Sequence, residues 1–128
     1  MNSLLSIKDL HVSFGLGLET VDAVRGINLE IARGEIVGIV GESGSGKSAS
    51  MLSVMRLLAT TATTRGTVHF AGKELFSASS KEMREIRGGK IGMIFQDPMT
   101  SLNPSFRIGS QIAEVIIRHQ HVSTKSAV

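Results

Sequence analysis

Residues 35–48 read EIVGIVGESGSGKS, an apolar run that opens into a glycine-rich loop closed by Lys47 and Ser48. The run 35–40 is apolar on both faces, which predicts a central strand in a sheet covered on both sides. Residues 41–48 satisfy the spacing G-x-x-x-x-G-K-[ST]. Gly41 and Gly46 allow backbone angles and close approaches that a side chain forbids. Successive N–H groups from Gly44 to Ala49 then turn inward as an anion nest, and the helix beginning near Lys47 adds its positive dipole end. In such a loop Lys47 reaches the β- and γ-phosphates of a nucleotide, and the Ser48 hydroxyl ligates Mg²⁺. The expected nucleotide-binding set is therefore Gly41, Glu42, Ser43, Gly44, Ser45, Gly46, Lys47, Ser48 and Ala49.

The setting agrees with that motif. After the loop, SASMLSVMRLLAT (48–60) places Met51, Leu52, Met55 and Leu58 at helical spacing, a core-facing stripe. Before it, residues 5–14 and 21–31 carry β-branched residues with partial alternation, and predict a hairpin or small antiparallel sheet. Downstream, 60–65 reads as a polar linker and 66–70 as a short strand closed by a turn at Ala71-Gly72-Lys73. Residues 81–87 read as a short charged helix, 90–95 (KIGMIF) as an apolar strand, and 108–119 as a helix with Ile108, Ile112, Val115 and Ile116 on one face. Strands alternating with helices predict an α/β architecture.

Composition narrows the classes. The 128 residues suffice for one domain, and 41% hydrophobic with 20% charged residues is ordinary for a folded chain. Five Phe, no Trp and no Tyr leave few surfaces on which bases could stack, and the net charge of +3 is not concentrated in any run. No nucleic-acid partner is expected. Absence of Cys excludes disulfides, thiolate nucleophiles and Cys-ligated metals. No window reaches 18 uninterrupted apolar residues, so a membrane span would have to come from another chain. His119 and His121 stand two apart and diverge on a helix, which argues against a metal site.

A phosphate loop names no reaction. Asp97-Pro98-Met99-Thr100 fails the D-x-x-G pattern of a GTPase, and no N-K-x-D follows. The stretch KIGMIFQDPMTSLNPSFRIGSQIAE (90–114), taken with GIVGESGSGKS, closely resembles the ATP-binding subunits of ATP-binding-cassette (ABC) transporters. FQDPMTSLNP (95–104) is most similar to the subfamily that powers import of dipeptides, oligopeptides, nickel or glutathione. The resemblance extends from about residue 4 to 122. It implies an incomplete P-loop NTPase core with an N-terminal antiparallel β-subdomain. It also implies ATP and Mg²⁺ as ligands, and energy coupling in an importer as the role.

Residue by residue, the resemblance implies that Phe14 stacks on adenine, and that Gln96 contacts Mg²⁺ or the attacking water and senses the γ-phosphate. The catalytic set would then be Lys47 and Gln96, and the metal set Ser48 and Gln96. The loop 97–104, stiffened by Pro98 and Pro104, would face membrane-spanning permease subunits at the cytoplasmic face of the inner membrane. A second ATP-binding subunit is an implied partner. Residues 1–128 contain no LSGGQ signature, no Walker B Asp followed by a catalytic Glu, and no switch His, so the whole chain reads as the N-terminal part of such a domain. The resemblance implies that the missing Walker B strand would leave the 35–40 strand exposed at an edge. Two other readings stand beside this one: a nucleotide-binding fragment without turnover, and a P-loop kinase of a small metabolite.

Overall fold

The computed structural model describes residues 3–16, 19–97 and 101–127. They form two compact units, Met1–Ser79 and Ser80–Val128. The first unit contains a four-stranded antiparallel sheet of order β2-β1-β3-β4, built from β1 (Ser3–Leu16), β2 (Glu19–Ala32), β3 (Ala62–Phe70) and β4 (Lys73–Glu74). Helix α1 (Lys47–Val54) lies between β2 and β3 in sequence and contacts both β1 and β2.

The apolar residues of β1 explain how the sheet faces its core. Ile7, Leu10 and Val12 are all fully buried, yet Ile7 and Leu10 are an odd number of residues apart. Strict alternation would put them on opposite faces. A bulge at Lys8–Asp9 absorbs the extra residue: the register shifts between Ile7 and Leu10 against β2, and between Lys8 and His11 against β3. Asp9 takes φ +48, and its N–H donates to the Asn28 carboxamide oxygen at 3.0 Å. The facing residue on β3 is Gly66, where a Cβ would lie 2.3 Å from the Asp9 carbonyl oxygen, so only glycine fits. Val24, Val54, Met55, Val68 and Leu75 complete this core.

Helix α1 is shorter than its apolar stripe predicts, and Leu58 lies outside it. Arg56 adopts φ +51, and the carbonyls of Ser53 and Leu52 accept from the N–H groups of Arg56 and Leu57 at 2.9 Å each. That is a Schellman stop, with arginine where glycine is usual. The reason is visible in the side chain, whose guanidinium donates to the Ala78 carbonyl at 2.5 Å and to that of Leu75 at 3.4 Å. These contacts offset the strain of the left-handed backbone.

Three further expectations are corrected. Residues 62–65 are not a linker but the first half of β3, paired with β1 through Phe14↔Ala62 and His11↔Arg65. The run 35–40 forms no strand, and Ile36 and Val40 are 98% and 97% exposed. Residues 90–95 form only one bridge, Arg87↔Ile91, and Ile94 is 97% exposed. Both runs have strand-like sequences. A strand exists only where a neighbour accepts its hydrogen bonds, and the described residues offer neither run such a neighbour.

The second unit holds α2 (Ser80–Ile86), α3 (Ile108–Gln120) and α4 (Thr124–Ala127). Among its described residues Met83, Ile86 and Ala113 are buried, while Ile108, Ile112 and Val115 of the expected apolar stripe remain exposed. No helix among the described residues is long and apolar enough to cross a membrane.

Candidate functional site

The phosphate loop is positioned by contact with β2. Gly46 caps α1 with φ +88, and a Cβ there would lie 2.4 Å from the Ala23 carbonyl oxygen and 3.2 Å from Val24 Cγ2. Gly44 is also left-handed, at φ +78, but nothing lies within 4 Å of its missing Cβ. The two glycines therefore differ: Gly44 serves the turn alone, Gly46 both the turn and the packing. Ser50, buried, donates from N–H and Oγ to the Gly46 carbonyl at 2.8 and 2.9 Å, which ties the loop to the helix.

No side chain caps α1, and its first turn holds no acid. Its leading N–H groups and positive dipole end therefore keep their capacity for an external anion. The Lys47 ammonium folds back over the loop and donates to the carbonyls of Gly41 at 2.6 Å and Glu42 at 2.5 Å, and to Ser45 Oγ at 3.1 Å. Three acceptors match its three donors. Gly41 is held open by the same arrangement, since a Cβ there would meet Ser45 Oγ at 2.6 Å. The Ser48 hydroxyl is exposed and has no hydrogen-bond partner among the described residues, which suits a ligand-facing oxygen.

Around the loop lies a pocket of about 510 Å³, walled by Gly41, Gly44, Ser45, Gly46 and Lys47 of the loop, by Ser50, by Ile39 and Val40, and by Asp22 to Arg25 with Ile27 of β2; Glu42, Ser43, Ser48 and Ala49 do not line it. Sequence reasoning missed the β2 wall. Asp22, which accepts from Ser13 Oγ at 2.7 Å, and Arg25 belong to the edge strand, and nothing local in sequence indicates which edge a distant loop folds against.

Phe14 sits half-buried on β1, opposite Val21 and Ala62, and does not line the pocket. Gln96 belongs to the second unit, exposed at the bend that follows 90–95. Of the loop 97–104, Pro98, Met99 and Thr100 lie outside the described residues. Its end is clamped by Gln111 of α3: Oε1 accepts from the Asn103 N–H at 2.8 Å, and Nε2 donates to the carbonyls of Asn103 and Phe106 at 3.0 Å each. His121 leaves α3 with φ 53, which turns it onto the wall of the same pocket as His119 despite their two-residue spacing.

Comparison with known proteins gives the family of the chain. The oligopeptide transport ATP-binding protein OppD of Bacillus subtilis is 48% identical over 126 residues, covering 97% of this chain and 35% of that protein. The dipeptide transport ATP-binding protein DppD of the same organism is 48% identical over 129 residues, with 99% and 38% covered. The chain thus spans little more than a third of the length of these curated relatives. Among solved structures, the ATP-binding cassette MJ0796, in a dimeric post-hydrolysis state bound to ADP and Pi, matches at a TM-score of 0.78 and 27% identity, over 96% of this chain and 53% of that one. The family model described as ABC transporter matches residues 24–127, from the β2 wall of the pocket through the phosphate loop to the end of α4. The chain belongs to the ABC transporter family.

Proposed function

We propose that the chain binds ATP with Mg²⁺ through residues 41–49, as part of the energy-coupling subunit of an importer for peptides or related solutes. The observation that carries this reading is the Lys47 ammonium held by Gly41, Glu42 and Ser45 beside an uncapped helix start. Entry of a triphosphate exchanges those internal acceptors for phosphate oxygens, while the N–H groups of the loop and of the first turn of α1 receive the rest. Bound Mg²⁺ supplies charge neutralisation across the phosphates, and the free Ser48 hydroxyl is the oxygen this chain offers it. Gln96 is the proposed sensor of the γ-phosphate and Phe14 the proposed adenine platform.

The relatives' roles in oligopeptide and dipeptide transport support the importer setting, and the dimeric cassette supports a second ATP-binding subunit as partner. The loop 97–104 is the proposed contact with permease subunits at the cytoplasmic membrane face. The Gln111 clamp supports that role, because a mechanical contact needs a loop that does not yield.

Calorimetric titration with ATP and Mg²⁺ tests the reading. Binding at residues 41–49 is expected, weakened about tenfold to a hundredfold in Lys47→Ala. Titration heats that are indistinguishable between parent and variant would overturn it. Steady-state phosphate release in the same samples separates binding from turnover.

A further inference from the structure

The second unit contains a pocket of about 520 Å³ made of none of the phosphate-loop residues. Its wall carries Lys81 and Arg84 from α2, Lys90 from the turn after α2, and Arg118 from α3, against a single acid, Glu85. Four cations facing one carboxylate leave an excess of three positive charges. None of the four has a side-chain hydrogen bond or ion pair among the described residues. Cations gathered in a concavity repel one another, and without internal partners the repulsion is relieved by an external anion.

The wall is built rather than incidental. Residues 87–91 form a turn fixed by four backbone hydrogen bonds: the N–H groups of Arg87, Lys90 and Ile91 donate to Met83 and Ile86, and that of Gly88 to Ile91, all at 2.9 Å. The His119 ring rests on this turn, where a Cβ at Gly88 would lie 2.7 Å from its Nε2 and one at Gly89 would lie 3.0 Å from its Nδ1. Two successive glycines thus admit the imidazole and bring Arg118 to the same wall as the α2 cations.

We propose that this pocket is a second anion site, which takes a phosphate-bearing small molecule or headgroup. The volume lies in the range of small-molecule sites and exceeds what a lone inorganic ion fills. Two guanidinium groups match phosphate oxygens in pairs, the two ammonium groups add point charges, and Glu85 accepts from a hydroxyl or amine on the remainder of the ligand. The wall has no Phe, Tyr or Trp, and its only rings are the imidazoles of His119 and His121, so charge is the main hold on the ligand.

The test adds inorganic pyrophosphate to the 128-residue chain and follows backbone amide resonances. Two independent sets of shifts are expected, one over 41–48 and one at Gly88, Gly89 and His119. Lys47→Ala should abolish the first set and spare the second. Combining Arg84→Gln with Arg118→Gln should weaken the second about tenfold or more and spare the first. Both arginines are exposed, so the double variant should melt with the parent, and Arg84→Lys with Arg118→Lys should retain part of the affinity. Amides of Gly88 and Gly89 that stay unshifted at saturating pyrophosphate, or that shift equally with both arginines replaced by Gln, overturn the proposal. Co-sedimentation with phosphatidylcholine vesicles containing phosphatidylglycerol separates the sources. Vesicle binding that pyrophosphate displaces assigns a lipid headgroup, and pyrophosphate binding without vesicle binding assigns a soluble ligand.

Discussion

Gly46 and Ala23 are locked together: the loop glycine approaches the strand so closely that a methyl group on it would lie 2.4 Å from the Ala23 carbonyl oxygen. The glycine-rich loop is therefore seated on the edge strand by the absence of an atom. Gly46→Ala must both leave φ +88 and retreat from β2, so a loss of about 2 kcal/mol or more is expected. Gly44→Ala meets only the backbone strain, about 1 kcal/mol. Thermal melts of the two variants check the order, and equal costs would contradict the packing argument.

Glu74 governs a pH dependence. Partial burial pushes its carboxyl up, but the Ser77 hydroxyl and the N–H groups of Ser77, Phe76 and Val68 outweigh that effect and hold it below the usual range. A depressed folded value contributes stability above the ordinary carboxylate range, which is lost as pH falls through it. Glu74→Gln should melt a few degrees below the parent at neutral pH, with the gap closing in acid. A gap that persists at low pH would assign the loss to packing.

Exposure makes opposite predictions for residues of similar character. Ile36→Ser and Val40→Ser should change the stability of this chain by no more than about 0.5 kcal/mol, because both side chains already face water. Val68→Ala, at a fully buried position, should cost about 2 kcal/mol. Urea melts decide it, and a large loss at Ile36 would mean that 35–40 pairs as a strand after all.

Gln111→Ala removes three hydrogen bonds to the end of the 97–104 loop and its continuation. Amide exchange at Asn103 should accelerate about tenfold while the melting temperature barely moves, since the site is exposed. Unchanged exchange would show that the loop holds itself.

What was legible in the sequence follows from how local each signal is. The glycine-rich turn and the helix start at Lys47 were readable because turn glycines, lysine and helix start all lie within a few residues. The strands 35–40 and 90–95 were misread because a two-sided apolar run specifies a strand only through neighbours, which the described residues do not supply. Thr63, Thr64 and Arg65 looked like a linker because they are polar, although in β3 they face β1 through backbone pairing that is indifferent to side chains. The early stop of α1 was invisible because it depends on Arg56 reaching carbonyls some twenty residues away. The cation pocket was hidden because its charges come from two separate stretches.

The position of β1 between β2 and β3 bears on folding order. β1 and β2 adjoin in sequence and close cheaply, whereas β3 must return across the whole excursion that carries the phosphate loop. That excursion is the sheet's slow closure, so the β1–β2 pair should form in the early phase of refolding and β3 join later. A phosphate ligand that gathers residues 41–49 shortens the span still to be closed. A ligand bound at this loop would thus act as a folding template for the sheet.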